Sequence, residues 1–531
     1  MSNSSSSSNK QIARAASTVM FAYVLSNLVG LMRQVLVSNT FGTNSQLDAF
    51  YAAVTIPDLL FNLLAGGALA SAFIPIFTDV LKKENSRQAF DLFSSIVSLI
   101  LLVLGIGSLI TVYFAPTIVS KVIFVFQPNL DSGLLQLTIN LLRIIMIAPT
   151  IFGISGIVMG VLNTHQKFLI PALAPVVNWL GWIIGIVFIV PTQGIFGLAW
   201  GYVIGACLHL LVQIPALLSL EKISIPSAKD LMSNKVVQIL KLMGPRLFGV
   251  GAVQINFLIN TMLAASLGEG SLSAINVGRM IMTMPLFVIA QAIATAALPT
   301  FSAQVAKNEK TDMVHSLTAT LRGVLVLSIP ASIGLIILRS PITAILFQRG
   351  KFDAHSTELV AWAILWYTAG LVGHAIVEIL SRAFYALHDT KTPVTIGILA
   401  MGLNVVLSFV FVALFTKVSW MPHGGLALAN SLATAIEAGF LIYYIRKHLG
   451  EIETKALGIS FFQFTIASLL MVLCIYGWQL FSAGSGDWIE VLGGVVFGAI
   501  AYLFGLILLQ IPELSIARAF LTKILSRVSR R

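Results

Sequence analysis

Residues 48–80 read DAFYAAVTIPDLLFNLLAGGALASAFIPIFTDV. The stretch is long enough to cross a bilayer, yet Asp58 follows Pro57 within it and the small-residue run AGGALASA occupies Ala65 to Ala72. A plain lipid-facing anchor needs none of these. Proline opens the helical hydrogen-bond ladder, small residues let another backbone come close, and a carboxylate at depth needs a partner or water. Two readings fit: a kinked, tightly packed structural helix, or one wall of a polar cavity inside a transporter.

Working outward, composition sets the class. Of 531 residues, 57% are hydrophobic and only 10% are charged, and the mean hydropathy is +0.93. A soluble protein of this size could not carry that surface. The formal net charge of +11 could suggest nucleic acid, but the lysines and arginines sit mostly in short loops and at the C-terminus. They read as orientation against anionic membrane lipid, with no nucleic-acid partner. Cys207 and Cys474 lie in apolar segments and make no ligand cluster. No phosphate-binding glycine loop and no His-Glu-x-x-His motif occurs, so the chain reads as a transporter and not an enzyme, with no cofactor or metal assigned. The first apolar segment has no small-residue cleavage site and reads as a retained helix.

The expected fold is an all-α polytopic membrane protein with fourteen transmembrane helices. The spans are 14–38, 48–79, 90–115, 133–161, 169–190, 194–219, 236–266, 272–303, 315–339, 357–387, 392–416, 424–446, 457–482 and 487–510. Residues 1–12 read as a polar disordered tail, 13–219 as a first lobe, 220–235 as a cytoplasmic linker and 236–448 as a second lobe. A C-terminal helix pair at 456–510 and a basic cytoplasmic tail at 511–531 complete the chain. With the N-terminus inside, the outer loops hold only Lys121, Arg339, Arg349, Lys351 and Lys417, and the remaining loop and tail cations fall inside. The bias places both termini in the cytoplasm. Within the tail, residues 514–528 read as an amphipathic helix on the membrane surface.

The chain also repeats. Pro75 matches Pro299, Pro116 matches Pro341, His165 matches His388, Asn178 matches Asn404, and Gly197-Leu198-Ala199 recurs as Gly425-Leu426-Ala427. A nearly constant offset of about 225 residues implies two six-helix lobes related by a pseudo-twofold axis along the membrane normal. Two such lobes leave a central cleft suited to alternating access.

Ionisable residues within spans locate that cleft: Arg33, Asp48, Asp58, Arg143, Arg246, Arg279, Arg322, Glu378, Arg382 and Glu437. Arg33 and Arg382 lie near segment ends and could instead snorkel. Glu378 and Arg382 are four apart and could pair with each other. Guanidinium groups offer phosphate a bidentate fork, so an arginine-lined cleft suits an anionic cargo. Glu378 and Glu437 are candidates for binding a coupling ion; a proton, sodium or the membrane potential is left open as the driving force.

RQVLVSNTFGTNSQLDAFYAAVTIPDLL (Arg33 to Leu60), GGALASAFIPIF (Gly66 to Phe77), LFQRGKF (Leu346 to Phe352) and SRAFYALHDTKTPV (Ser381 to Val394) resemble the MurJ/MviN family. These are bacterial lipid II flippases of the MATE-like multidrug/oligosaccharidyl-lipid/polysaccharide exporter superfamily. The resemblance covers about residues 12 to 510. It implies a monomeric protein of the bacterial cytoplasmic membrane whose last helix pair forms a groove for a lipid tail. The implied cargo is a polyprenyl-pyrophosphate-linked cell-wall precursor, and cell-wall synthesis enzymes are candidate partners. Arg33 and Asp48 match the family pattern. Asn27 stands where the family has an arginine, and so do Phe61 and Asn62 after the Pro-Asp-Leu-Leu run. Gly66 replaces an acidic residue and Gln34 an aspartate, and the family arginine of the eighth helix falls at Met280, beside Arg279. Asn27 and Asn62 are therefore carried as cavity positions, and the cavity is expected to be less cationic than is usual. Alternatives are a related transporter of another polyprenyl-linked glycan or amphiphile, and a transport-inactive scaffold in envelope synthesis. The turns at Phe41-Gly42 and Leu267-Gly268 are expected to close the cleft from outside.

Overall fold

The computed structural model describes residues 2–64, 67–127, 129–220, 233–450 and 453–511, and every regular element among them is helical. Among the described residues, twelve helices are long and apolar enough to cross a membrane. The pair Ala354–Ala369 and Leu371–Ala386, bent by 45°, makes a thirteenth if taken as one broken span. The expected fourteenth, residues 48–79, falls in two helices, Ser45–Leu64 and Gly67–Lys83, on either side of residues 65–66. Most of the linker and the amphipathic segment expected at 514–528 lie outside the described residues. The first helix runs Ser2–Phe41 and so takes in the serine run that composition marked as a polar tail; serine is only a moderate helix former, but it does not break a helix.

Contacts divide the chain into two compact units, one of residues up to Ser273 together with Gly350–Phe352, the other of Ala274–Arg349 and Asp353 onward. The first contains α1 (Ser2–Phe41), α2 (Ser45–Leu64), α3 (Gly67–Lys83), α4 (Ser86–Tyr113), α5 (Ser132–Thr164), α6 (Leu169–Gln193), α7 (Ile195–Leu218) and α8 (Asn234–Ala265). Polar caps start several of these. Asn85 accepts from Gln88 N–H at the head of α4, and Asp131 accepts from Leu134 N–H at the head of α5. Each satisfies an N–H that the first helical turn leaves open.

In this unit α1 packs on α6, α6 on α7, and α2 lies against α5 and α8. Glycine makes the α6–α7 crossing close. A Cβ on Gly181 would fall on the backbone of Gly205, and one on Gly197 on the backbone of Val190. The core below α3, α4 and α5 is aromatic, with Phe73, Phe77, Phe90 and Phe93 buried together.

The second unit holds most of α9 (Ser271–Ala306), then α10 (Lys310–Ile337), α11 (Arg339–Phe347), α12 (Ala354–Ala369), α13 (Leu371–Ala386), α14 (Lys391–Lys417), α15 (His423–Leu449), α16 (Thr454–Phe481) and α17 (Asp487–Leu508). A wider π turn interrupts α9 at Phe287–Gln291, just after Pro285. α15 packs against α12, α13 and α14. Gly425 lets it approach, since a Cβ there would sit 2.7 Å from the Phe411 carbonyl carbon. The last pair, α16 and α17, docks on α10 through Phe464, Met471, Ile475 and Tyr502 against Leu325 and Ile329. The Tyr502 hydroxyl donates to Val326 O at 2.7 Å. Many large apolar side chains face outward, Phe248 and Leu480 each 81% exposed, as lipid-facing helix surfaces require.

Candidate functional site

The most developed polar cluster in the first unit is built on Arg33, near the end of α1. Trp179 and Trp182 are three apart on α6 and so share a face. They take the guanidinium between them, its Cζ 4.6 Å from the Trp179 ring centroid and 4.5 Å from that of Trp182. Arginine suits this place because its planar cation is weakly hydrated and stacks on aromatic faces. Its Nη2 donates to Gln34 Oε1 at 2.8 Å, and Gln34 is in turn bonded to the Tyr51 hydroxyl. The Trp179 indole N–H donates to Ser26 Oγ at 3.2 Å, which fixes the cage to the preceding turns of α1. Arg33 Nε is buried without an acceptor among the described residues.

Asp58 reaches the same cluster from α2. The Tyr202 hydroxyl donates to its Oδ1 at 2.7 Å, and the Tyr202 ring lies 5.3 Å from that of Trp182. Arg33 and Asp58, 25 residues apart in the sequence, are thus joined through two aromatic rings. Behind them Phe152 contacts both Tyr202 and His209. The Ser155 hydroxyl lies 2.7 Å from His209 Nδ1 and accepts from Gln213 Nε2 at 2.7 Å. Asn62 is half-buried on the next turn of α2. Asn27 is exposed, with its Nδ2 donating to Tyr23 O at 2.9 Å, and the Arg143 and Arg246 side chains are exposed.

A second cluster forms at the turns 41–48 and 267–273. Asp48 is 9% exposed. Its Oδ2 accepts from Gly270 N–H at 2.7 Å, and its Oδ1 accepts from Ser273 N–H at 2.7 Å and from the Ser273 hydroxyl at 2.5 Å. One carboxylate in the first turn of α2 therefore caps the start of α9. Ser45 N–H donates to Glu269 Oε1 at 3.0 Å, a second tie between the same turns. Phe41 is buried, Gly42 has φ +68°, Leu267 is half-buried and Gly268 is exposed with φ +107°. Asp48 was expected as a cavity ligand; here its oxygens are taken up by the backbone and hydroxyl of the facing turn.

In the second unit the candidates are more dispersed. Arg382 Nη2 pairs with Glu378 Oε1 at 2.7 Å across one turn of α13. Arg279 is half-buried near the start of α9, its Nη2 3.5 Å from Asn276 Oδ1. Arg322 is half-buried on α10, and Glu437 is half-buried on α15. Among the described residues no group of three His, Cys, Asp or Glu side chains could hold a metal ion. Sequence reasoning did not single out Trp179, Trp182 or Tyr202, and it noted Gln34 only as a departure from the family pattern. The i,i+3 tryptophan pair was the one signal that could have pointed to the cage.

A sequence profile described as "Lipid II flippase MurJ" matches residues 37–496. The chain is 30% identical over 472 residues to "Lipid II flippase MurJ" of Burkholderia cenocepacia, covering 88% of this chain and 89% of that protein. It is 28% identical over 505 residues to "Probable lipid II flippase MurJ" of Bdellovibrio bacteriovorus, covering 94% of each. Among solved structures, "Lipid II flippase MurJ, inward closed conformation" aligns with a TM-score of 0.77 at 24% identity, over 92% of this chain and 97% of that one. An inward-facing multidrug resistance MATE family transporter of the MOP superfamily aligns with a TM-score of 0.67 at 14% identity, over 81% of this chain and 96% of that one. The chain belongs to the MurJ/MviN lipid II flippase family.

Proposed function

We propose that the chain carries lipid II, the polyprenyl-pyrophosphate-linked peptidoglycan precursor, from the inner to the outer leaflet of the cytoplasmic membrane. The observation that carries this reading is the family match from residue 37 to residue 496, which takes in Asp58, the two tryptophans that cage Arg33, and both outer turns. Arg33 and Arg279 would meet the anionic head group, with Asn27, Asn62, Arg246 and the Glu378–Arg382 pair around them. The residues 45–83 would cross as one broken span, giving fourteen, with both termini cytoplasmic. Two lobes would alternate access by rocking. The turns around Gly42 and Gly268, latched by Asp48, would close the outer side. A related reading, another polyprenyl-linked glycan as cargo, draws on Asn27 and Met280 standing where the family has arginines.

The test is reconstitution in liposomes with fluorescent lipid II and an unrelated polyprenyl-linked sugar compared side by side. Lipid II is expected to cross. Transport of only the other cargo overturns the assignment.

A further inference from the structure

Between α14 and α15, within the second unit, lies a cavity of about 370 Å³. Lys391 and Tyr444 stand at one end, where α14 begins and α15 approaches its end. The walls beyond are mostly hydrocarbon, chiefly Ile396, Leu403, Ile436 and Phe440, and among them sit the hydroxyls of Thr392 and Thr395 and the Glu437 carboxylate. Gly397 gives that carboxylate room, since a Cβ there would lie 3.3 Å from its Oε1. Glu437 is followed by twelve residues of helix to Leu449, about 18 Å at 1.5 Å per residue. That places it near the middle of a hydrocarbon layer about 30 Å thick.

The other span carboxylate of this unit, Glu378, is paired with Arg382. Glu437 has no hydrogen-bond or ion-pair partner among the described residues. Lys391 on α14 and Tyr444 on α15 line the same cavity without a hydrogen bond or ion pair to Glu437. His374 on α13 bonds Asn430, Arg382 bonds Glu378, and Arg322 lies on α10. On α12, Tyr367 is buried. An unpaired carboxylate in such surroundings is accommodated by taking a proton or a cation. A hard metal cation takes about six oxygen ligands, and besides this carboxylate the side chains of the wall offer only the hydroxyls of Thr392, Thr395 and Tyr444.

We propose that Glu437 is a proton-binding site reached from the cytoplasmic side through this cavity, and that its protonation is coupled to the transport cycle. The proton adds to one carboxylate oxygen and leaves a neutral carboxylic acid, with no other bond made or broken. This rests on the transport reading above, and the two fail separately.

The experiment uses the full-length protein and two readouts. Difference infrared spectroscopy during a pH titration in lipid, without substrate, should show a carboxylic-acid band that is lost in Glu437→Gln and shifted in Glu437→Asp. In liposomes, an imposed proton gradient should change the wild-type flipping rate by about fivefold or more and leave Glu437→Gln unresponsive. An unchanged band in Glu437→Gln overturns the proposal, as does a Glu437→Gln rate that still follows the proton gradient. A wild-type rate moved by a sodium gradient and not by protons also overturns it. If the wild type flips no lipid-linked substrate but the band behaves as expected, the flippase reading fails and the proton site stands.

Discussion

Replacing Asp48 by asparagine should unlatch the outer turns. The carboxylate accepts two backbone N–H bonds at 2.7 Å and one hydroxyl bond at 2.5 Å. Hydrogen bonds to a charged group contribute roughly 1.5–3 kcal/mol each, and bonds sharing one acceptor group do not add. Asparagine keeps the shape and one acceptor oxygen but loses the charge and the second acceptor. A loss of about 1.5–3 kcal/mol follows, which shifts a closed-to-open ratio roughly 10- to 150-fold. Alanine would also strand the Gly270 and Ser273 N–H groups and costs more. The assay is labelling by a membrane-impermeant maleimide added outside, with Cys207 and Cys474 replaced by alanine. The reporter is a cysteine at Thr55, whose hydroxyl lies 3.5 Å from that of Thr261 below the turns. Its labelling rate should rise at least tenfold in Asp48→Asn. Ser273→Ala removes only the hydroxyl bond to Oδ1 and should raise labelling less than Asp48→Asn. The latch idea is refuted if Asp48→Asn lowers the unfolding temperature while labelling at Thr55→Cys stays unchanged; Asp48 would then be a helix cap and nothing more.

Two further outcomes are expected. Trp182→Ala removes one face of the Arg33 cage and the ring against Tyr202. With a desolvated cation–π contact worth about 2 kcal/mol, transport should fall roughly 30-fold, while Trp182→Phe retains most of it. Tyr502→Phe deletes the bond to Val326 O and should lower stability by about 1 kcal/mol, read as an earlier thermal transition; an unchanged transition would mean that apolar packing alone docks the last helix pair.

How far the sequence spoke depended on the kind of force involved. Helices were legible because a bilayer demands long apolar runs with internally bonded backbones, and observed ends such as Ser132–Thr164 and Asp487–Leu508 fall within a few residues of the expected spans. The bend between Ala369 and Leu371 was not, since its cause is packing: a Cβ at Gly370 would strike Ser431. Among polar groups, the Glu378–Arg382 pair was readable from its four-residue spacing. The Arg33 cage was not, because tryptophan on an apolar helix reads as lipid anchor or core until its neighbour is known. Asp48 was flagged for its charge, but its partners, more than 200 residues away, are set by tertiary folding alone.

The short segment Gly350–Phe352 belongs with the first unit although it follows most of α9 and all of α10 and α11 in the chain. Lys351 N–H donates to Asn39 O at 2.9 Å, Phe352 is 1% exposed, and Gly42 and Gly350 are held where any side chain would collide with the facing backbone. The consequence concerns biosynthesis. A ribosome must pass residue 352 before the end of the first helix can acquire its last hydrogen-bond partner, so the N-terminal half cannot mature as a free-standing folding unit during translation. A gene split after Ser273 would put that stitch on the other polypeptide, and the N-terminal fragment would emerge with the Asn39 carbonyl and the Gly42 backbone uncovered.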